Sequence, residues 1–342
     1  MKKKILVVSL ILVAMGLWYA YRIYSRIYSG NVKETTSVYI PTGTDFEGLL
    51  PLLRPYLEDV DDFVWVAEKK NYNNKVRAGK FRIEEGMSND ELVNHLRGGK
   101  QETVTLTFNN QDRLDRLAGR VASQIEADSL SLLETLTDPG FLESHGFDQS
   151  NALSMYVPNS YDFYWNTSAE GFRDRMLNEY KRFWNEDRVR KAEQLNLTPL
   201  QVTTLASIVQ KETSVVSERK RVAGLYLNRL RDFWPLQADP TIIYALKQKN
   251  GQDKEYKRVL NEDLTIDSPY NTYTNFGLPP GPIGMPDISS IDAVLNPEDH
   301  DFYYMCASVD DPGKHKFAKT LAQHNANARA YQQWVSQQGI KR

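Results

Sequence analysis

The sequence predicts an α+β protein with an N-terminal transmembrane helix, a small strand-helix domain and a larger mixed α+β domain. Three observations lead there. An apolar run opens the chain, a strand-turn-helix pattern occurs twice before residue 108, and helical spacing then dominates until strand-like segments return near the C-terminus. At 342 residues the chain is long enough for two or three domains with their own cores. The formal net charge of -2 gives no global field for nucleic acid. Cys306 is the only cysteine, which excludes an intrachain disulfide framework and a cysteine-based zinc site.

Lys2, Lys3 and Lys4 precede an apolar run from Ile5 to about Tyr21 that closes on Trp18, Tyr19 and Tyr21. Lysines, apolar span and aromatic belt are the pattern of a membrane helix, and a cleaved signal peptide is the competing reading. No convincing small-x-small cleavage site precedes Arg22, so residues 1–24 are expected to be an uncleaved single-pass anchor. The lysines would be cytoplasmic and the rest of the chain outside, although Arg22 and Arg26 reduce the charge asymmetry. Polar residues 25–36 read as a stalk.

In residues 37–108, the strand-like Val38 to Ile40 leads through Pro41 and Gly43 into a helix bearing Phe46, Leu49, Leu50 and Leu53. Phe81 to Ile83 leads through Gly86 into a second, opened by Ser88 and Glu91 at capping-box spacing. A helix-like stretch through Val64 and Ala67 lies between them, and alternating Val104, Leu106 and Phe108 read as a third strand. Modules of this kind resemble LysM-like domains, which bind the sugar backbone of cell-wall glycans; a structural spacer is the alternative.

Residues 109–342 form the larger domain. A helix is expected from about Gln111 to Ile125, and helical spacing continues to about residue 196, broken by Asp138, Pro139 and Gly140. Within it, Tyr156 to Tyr164 concentrates aromatics with hydrogen-bonding groups, which suits a sugar-stacking wall or a core packed under a loop.

Thr198, Pro199 and Gln201 give a hydroxyl N-cap, a proline at the first helical position and the third-position partner of a capping box. Val202, Leu205, Ala206 and Val209 then mark one buried face, whose next positions are Glu212 and Thr213. A carboxylate that ends an apolar row near a helix C-terminus is pushed toward its protonated form, the state a general acid needs. The other reading is a frayed end at which Glu212 turns to solvent or pairs with Lys211, Arg219 or Arg221.

Ser217 is expected to cap a second helix with Val222, Leu225, Tyr226 and Leu230 on its buried face and Asn228 and Arg229 at its far end. Gln237, Asp239, Pro240 and Thr241 follow; Asp239 is a candidate second carboxylate, and Asp-Pro-Thr is also a turn and helix-start signal. Tyr270, Asn271 and Tyr273 precede Gly277 to Gly284, a proline- and glycine-rich loop suited to the wall of a glycan cleft. Strands are expected at Phe302 to Met305 and around His315 to Phe317, then a helix from about Ala322 to Gln337. His315 and His324 lack a metal-ligand spacing, and no HExxH, Gly-x-Ser-x-Gly or phosphate loop occurs.

Several of these segments together resemble the YceG-like family of endolytic murein transglycosylases over nearly the whole chain. They are Ala206 to Thr213, Ser217-Glu218-Arg219, Asn228-Arg229-Leu230, Gln237 to Thr241, Tyr270 to Tyr273, Gly277 to Gly281 and His324-Asn325. The family usually has Glu-Lys-Glu where this chain has Gln210-Lys211-Glu212, which leaves Glu212 as the acid. It commonly has Pro-Asp-Thr-Tyr where this chain has Pro158-Asn159-Ser160-Tyr161, so no carboxylate acts at 159.

The resemblance implies cleavage of the β-1,4 bond between N-acetylmuramic acid and N-acetylglucosamine in nascent strands, leaving 1,6-anhydro ends and terminating elongation. It implies Glu212 as catalytic acid, with Asn228, Gln237, Asp239, Thr241, Tyr270, Asn271, Tyr273, Pro280, His315, His324 and Asn325 as substrate-binding candidates. It requires no metal or cofactor. Its partners are peptidoglycan glycan strands, the inner membrane and a wall-synthase complex, with the catalytic domain on the periplasmic side. Two rivals remain: a hydrolytic muramidase using Asp239 or Glu218 as second carboxylate, and a membrane-anchored wall-binding scaffold without chemistry.

Overall fold

A computed structural model describes residues 2–256 and 258–338. Its first element, α1 (Lys2–Tyr28), is long and apolar enough to cross a membrane. At 27 residues it spans about 40 Å. Its large apolar side chains from Ile5 to Tyr21 are exposed, so protein packing does not account for them; a membrane anchor or a signal sequence does.

Two compact units divide the chain. The first comprises the chain up to Leu106 with residues 122–127 and 161–168. It contains β1 (Thr36–Ile40), α2 (Phe46–Leu53), α3 (Val60–Lys69), β2 (Gly79–Ile83) and α4 (Asn89–Gly98). β1 and β2 pair antiparallel, with Thr36 opposite Ile83 and Ile40 opposite Gly79. Asp45, Asp59 and Ser88 cap α2, α3 and α4, and the Ser88–Glu91 capping box is formed in both directions. Val38, Ile40, Leu49, Phe63, Phe81 and Leu92 meet in the core.

The segment expected to be a polar stalk is packed instead. Helix α1 continues to Tyr28, where Arg26 pairs with Asp62 at 2.6 Å, and Asn31 and Val32 are buried. Asn31 accepts from the Asp59 amide and donates to the Asp59 carbonyl and to Asn89, each at 2.7 Å. One polar side chain therefore holds the segment down.

β3 (Thr103–Phe108) does not join β1 and β2. It pairs with β4 (Asn159–Tyr164), the aromatic segment, where Thr105 donates to Asp162 at 2.9 Å and the Thr107 and Ser160 hydroxyls lie 2.7 Å apart. The core reading holds for Tyr156 and Phe163, which are buried; Tyr156 stacks on Phe172 at 6.2 Å between centroids. Asn159 is exposed.

The second unit holds residues 107–121, 128–160 and the chain from Ala169 onward. Its early helices are α5 (Leu114–Ala122), shorter than expected, α6 (Ser129–Leu136), α7 (Pro139–Ser144), α8 (Ala169–Phe183) and α9 (Glu186–Gln194). Then come α10 (Pro199–Glu212), α11 (Arg219–Arg231), α12 (Asp239–Asn250) and α13 (Ile288–Leu295). β5 (Tyr304–Ala307) and β6 (His315–Ala318) form an antiparallel hairpin, followed by α14 (Leu321–Gln337). The core gathers on α10 and includes Val202, Leu205, Val222, Leu225, Ile242 and Val294.

Candidate active site

α10 begins as its sequence requires: Thr198 and Gln201 complete a capping box, with Pro199 at the first position. Its middle departs from a one-sided stripe, because every residue from Val202 to Val209 is buried. The polar members fit because their hydroxyls bond back to the helix: Thr203 to the Pro199 carbonyl and Thr204 to the Leu200 carbonyl, both at 2.9 Å, and Ser207 to that of Thr204 at 2.7 Å. Ser207 also accepts the Ile283 amide at 3.0 Å, and Gln210 accepts the Asp287 amide and the Ser290 hydroxyl. The last turn of α10 is thus pinned to the proline-rich loop and to the start of α13. Position 210 needs an acceptor there, and Gln210 supplies one without charge.

Glu212 is the final residue of α10, with Thr213 as C-cap. Its expected cationic partners are engaged elsewhere: Lys211 with Asp112 at 2.7 Å, Arg219 with Asp287 and Ser289, and Arg221 with Glu298 at 2.9 Å. Among the described residues Glu212 makes no ion pair, and it accepts from the buried Tyr226 hydroxyl at 3.1 Å. The residue is partly exposed, while its carboxyl is crowded by protein, and burial pushes it above the usual carboxylate range. His315, the Tyr226 hydrogen bond and Arg229 oppose that rise, and Asp239 adds to it.

Ser217 does not cap α11. A 3-10 turn, Val216–Glu218, leads into the helix, and Glu218 at the cap position makes no side-chain cap bond. Its buried carboxylate is drawn to His315, accepting the backbone amide at 2.7 Å and facing Nδ1 at 2.9 Å. Asp239 is exposed at the start of α12 and accepts the Tyr273 hydroxyl at 2.5 Å. Tyr273, like Glu212, is raised by burial. Both expected second carboxylates are therefore committed to other side chains.

Arg229 is buried and donates to the Tyr303 and Leu236 carbonyls at 2.8 and 2.5 Å; burial lowers its pKa, and it lies within electrostatic reach of Glu212, Tyr226, Tyr273 and Tyr304. Tyr304 stacks on His324 at 5.4 Å and meets Trp234 at 5.8 Å. The Nδ1 of His324 is buried without a hydrogen-bond partner among the described residues.

The remaining candidates fall into two sets. Asn228, Thr241 and Asn271 are inside: Asn228 donates to the His300 and Phe302 carbonyls, Thr241 bonds Ala238 and Thr272, and Asn271 donates to the Leu264 and Ile266 carbonyls. Their side chains hold neighbouring loops in place. Tyr270 is also buried and packs on Tyr244. Gln237, Pro280 and Asn325 are exposed. Gly281 lets the proline-rich loop approach the chain at Ser150, whose carbonyl oxygen a Cβ would meet at 2.0 Å.

Sequence reasoning placed Tyr226 on a buried face and missed its hydroxyl as the partner of Glu212. It also missed the Glu218–His315 pair and the Trp234–Tyr304–His324 cluster. The helical spacing from Glu212 to Tyr226 is interrupted by a turn, so no periodicity links them. Cavities of about 630 and 460 Å³ adjoin the site through Lys211 and Pro240 and through His315; Glu212 itself lines neither.

The model of the YceG-like family matches residues 38–330. A Bacillus subtilis protein named endolytic murein transglycosylase is 28% identical over 330 residues, covering 90% of this chain and 87% of that one. A Streptococcus pneumoniae protein of the same name is 31% identical over 326 residues, covering 87% of this chain; the chain spans 58% of that longer relative. The crystal structure of a YceG-like protein from Listeria monocytogenes superposes with a TM-score of 0.56 at 28% identity, covering 86% of this chain and 98% of that one.

Proposed function

The chain belongs to the YceG-like family, and from that premise we propose that it is an endolytic peptidoglycan lytic transglycosylase with Glu212 as its catalytic acid. One observation carries the reading: Glu212 ends a helix whose middle, Val202 to Val209, is wholly buried, with a neutral tyrosine for a partner, no ion pair among the described residues and its carboxyl desolvated. A carboxyl so placed is shifted toward its protonated form, the form from which a general acid gives its proton to a leaving oxygen.

Glu212 protonates the glycosidic oxygen between N-acetylmuramic acid and N-acetylglucosamine as the C1–O bond breaks, and the muramic ring passes through an oxocarbenium-like state. The C6 hydroxyl of the same sugar then bonds to C1 and returns its proton to the Glu212 carboxylate. The acid is regenerated, the product ends in 1,6-anhydro-muramic acid, and no water is consumed. One carboxyl suffices because nucleophile and electrophile belong to one ring. The hydrolytic alternative needs a second carboxylate to activate water or form an intermediate. The engagement of Glu218 with His315 and of Asp239 with Tyr273 weighs against it.

Tyr273, Asp239 and His315, all within electrostatic reach of Glu212 or of each other's partners, are read as the inner substrate contacts. Gln237, Pro280, His324 and Asn325 are read as the outer ones, and Asn228, Thr241, Tyr270 and Asn271 as the frame beneath them. Residues 37–108 are read as a LysM-like glycan-binding module, supported by the strand-helix-helix-strand order from β1 to β2. Helix α1 is read as a single-pass anchor that keeps the enzyme at the periplasmic face of the inner membrane, where it meets strands leaving a synthase complex and terminates them.

The test is cleavage of uncrosslinked glycan strands by the chain and by Glu212→Gln. Loss of cleavage with retained strand binding is expected. Undiminished cleavage by the variant would reject Glu212, and strand binding by both proteins without cleavage would favour the scaffold.

A further inference from the structure

The larger cavity, about 630 Å³, lies beside Glu212 and is unused by the mechanism above. Pro240, Ile243, Tyr244 and Lys247 line it at helical spacing along one face of α12, while Thr241, Ile242, Ala245 and Leu246 on the other face are buried. From Asp239, within electrostatic reach of Glu212, to Lys247 at the far end of this half-buried face is about 12 Å along the helix. Lys211, the residue before Glu212, also lines the cavity, as do Arg113 and Arg116.

Most of these charges are engaged: Lys211 with Asp112, Arg113 with Asp115 and Asp253, and Arg116 with Asp253. Two are not. The Lys247 ammonium and the Glu255 carboxylate line the cavity with no hydrogen-bond or ion-pair partner among the described residues. Among the described residues the cavity thus presents one cation and one anion without a partner, bordered by a tyrosine ring and two guanidinium groups.

We propose that this cavity binds the peptide stem of the muramic acid residue on which Glu212 acts, Lys247 taking a stem carboxylate and Glu255 the free amine of its diamino residue. The proposal rests on the transglycosylase reading. The stem leaves the sugar through its lactyl ether, so it emerges at the cleaved residue and needs a channel that begins there. An extended peptide of three or four residues spans about 10–14 Å, which matches the reach from Asp239 to Lys247. A strand stripped of its stems keeps only the lactyl carboxylate of each muramic residue, which stays at the sugar, and has no amine for Glu255.

The experiment uses the full chain in detergent carrying Glu212→Gln, so that strands stay intact, and compares binding of uncrosslinked strands with that of the same strands denuded by an amidase. Peptide-bearing strands are expected to bind more tightly. Adding Lys247→Glu should weaken them about tenfold and leave denuded strands unchanged. Arg116→Glu, on the exposed rim, should act in the same direction and guards against misfolding of a single variant. Equal binding of the two strand forms, or equal weakening of both by both substitutions, would overturn the proposal. Failure of the transglycosylase reading is seen separately, as absence of cleavage of either strand form by the chain with Glu212 intact.

Discussion

Tyr226 donates its hydroxyl to Glu212 across 3.1 Å from the middle of α11, and both groups are buried enough that burial raises each pKa. The bond opposes protonation of Glu212 while the desolvation around it favours protonation. Their balance sets the proton affinity of Glu212. Tyr226→Phe removes the bond and keeps the ring, so the Glu212 pKa should rise further and the alkaline limb of the pH–rate profile should move upward. Turnover should fall on the order of tenfold through loss of carboxylate stabilisation when Glu212 acts as base. A pH series of initial rates on purified strands checks both, and an unmoved limb would detach Tyr226 from the chemistry.

The same desolvation makes a stability prediction. The folded-state pKa of Glu212 lies above its unfolded value, so its contribution is fully present below the ordinary glutamate range and is lost as pH rises through the raised folded value. Glu212→Gln has no charge to bury. Its melting temperature should therefore exceed that of the unsubstituted chain at neutral and alkaline pH, with the gap closing in acid. Parallel melting curves across pH would contradict a desolvated acid.

Glu218 binds His315 at two points, through the backbone amide and Nδ1, and so fixes both the start of β6 and the ring. Glu218→Gln keeps the acceptor for the amide but turns a donor toward Nδ1, which reverses the tautomer preference at Nε2. Cleavage should fall on the order of tenfold with the fold intact, and His315→Ala should add little to it, since the two act as one unit. Full additivity in that double-mutant cycle would show that they act separately.

At Gly281 a Cβ would sit 2.0 Å from the Ser150 carbonyl oxygen, and the loop it belongs to is tied to α10 by the Ile283 amide on Ser207. Gly281→Ala should cost about 1–3 kcal/mol through this overpacking. A lower melting temperature accompanied by weaker strand binding is expected; an unchanged melt would mean the loop yields freely.

The legible parts of the fold were those written locally. The Thr198–Gln201 and Ser88–Glu91 capping boxes, the proline at the head of α10 and its end at Glu212 depend on residues three or four apart, and each took the expected form. The stripe on α10 was read too narrowly because Thr203, Thr204 and Ser207 count as polar until their hydroxyls are returned to the helix backbone. β3 was read correctly as a strand but without its partner, since β4 lies more than fifty residues away and nothing in the alternation of β3 names it. The site divides in the same way. Glu212 was visible because an acid interrupts an apolar row, whereas Tyr226 as its partner and Glu218 as the holder of His315 depend on tertiary proximity.

The most direct test of the central claim is to let the chain cleave uncrosslinked strands in water enriched in heavy oxygen and to weigh the new ends. Intramolecular attack by the C6 hydroxyl predicts muramic ends lighter by one water than reducing ends, carrying no label, and absent when Glu212→Gln is used. Reducing ends that carry the heavy oxygen would contradict it and make the enzyme a hydrolase.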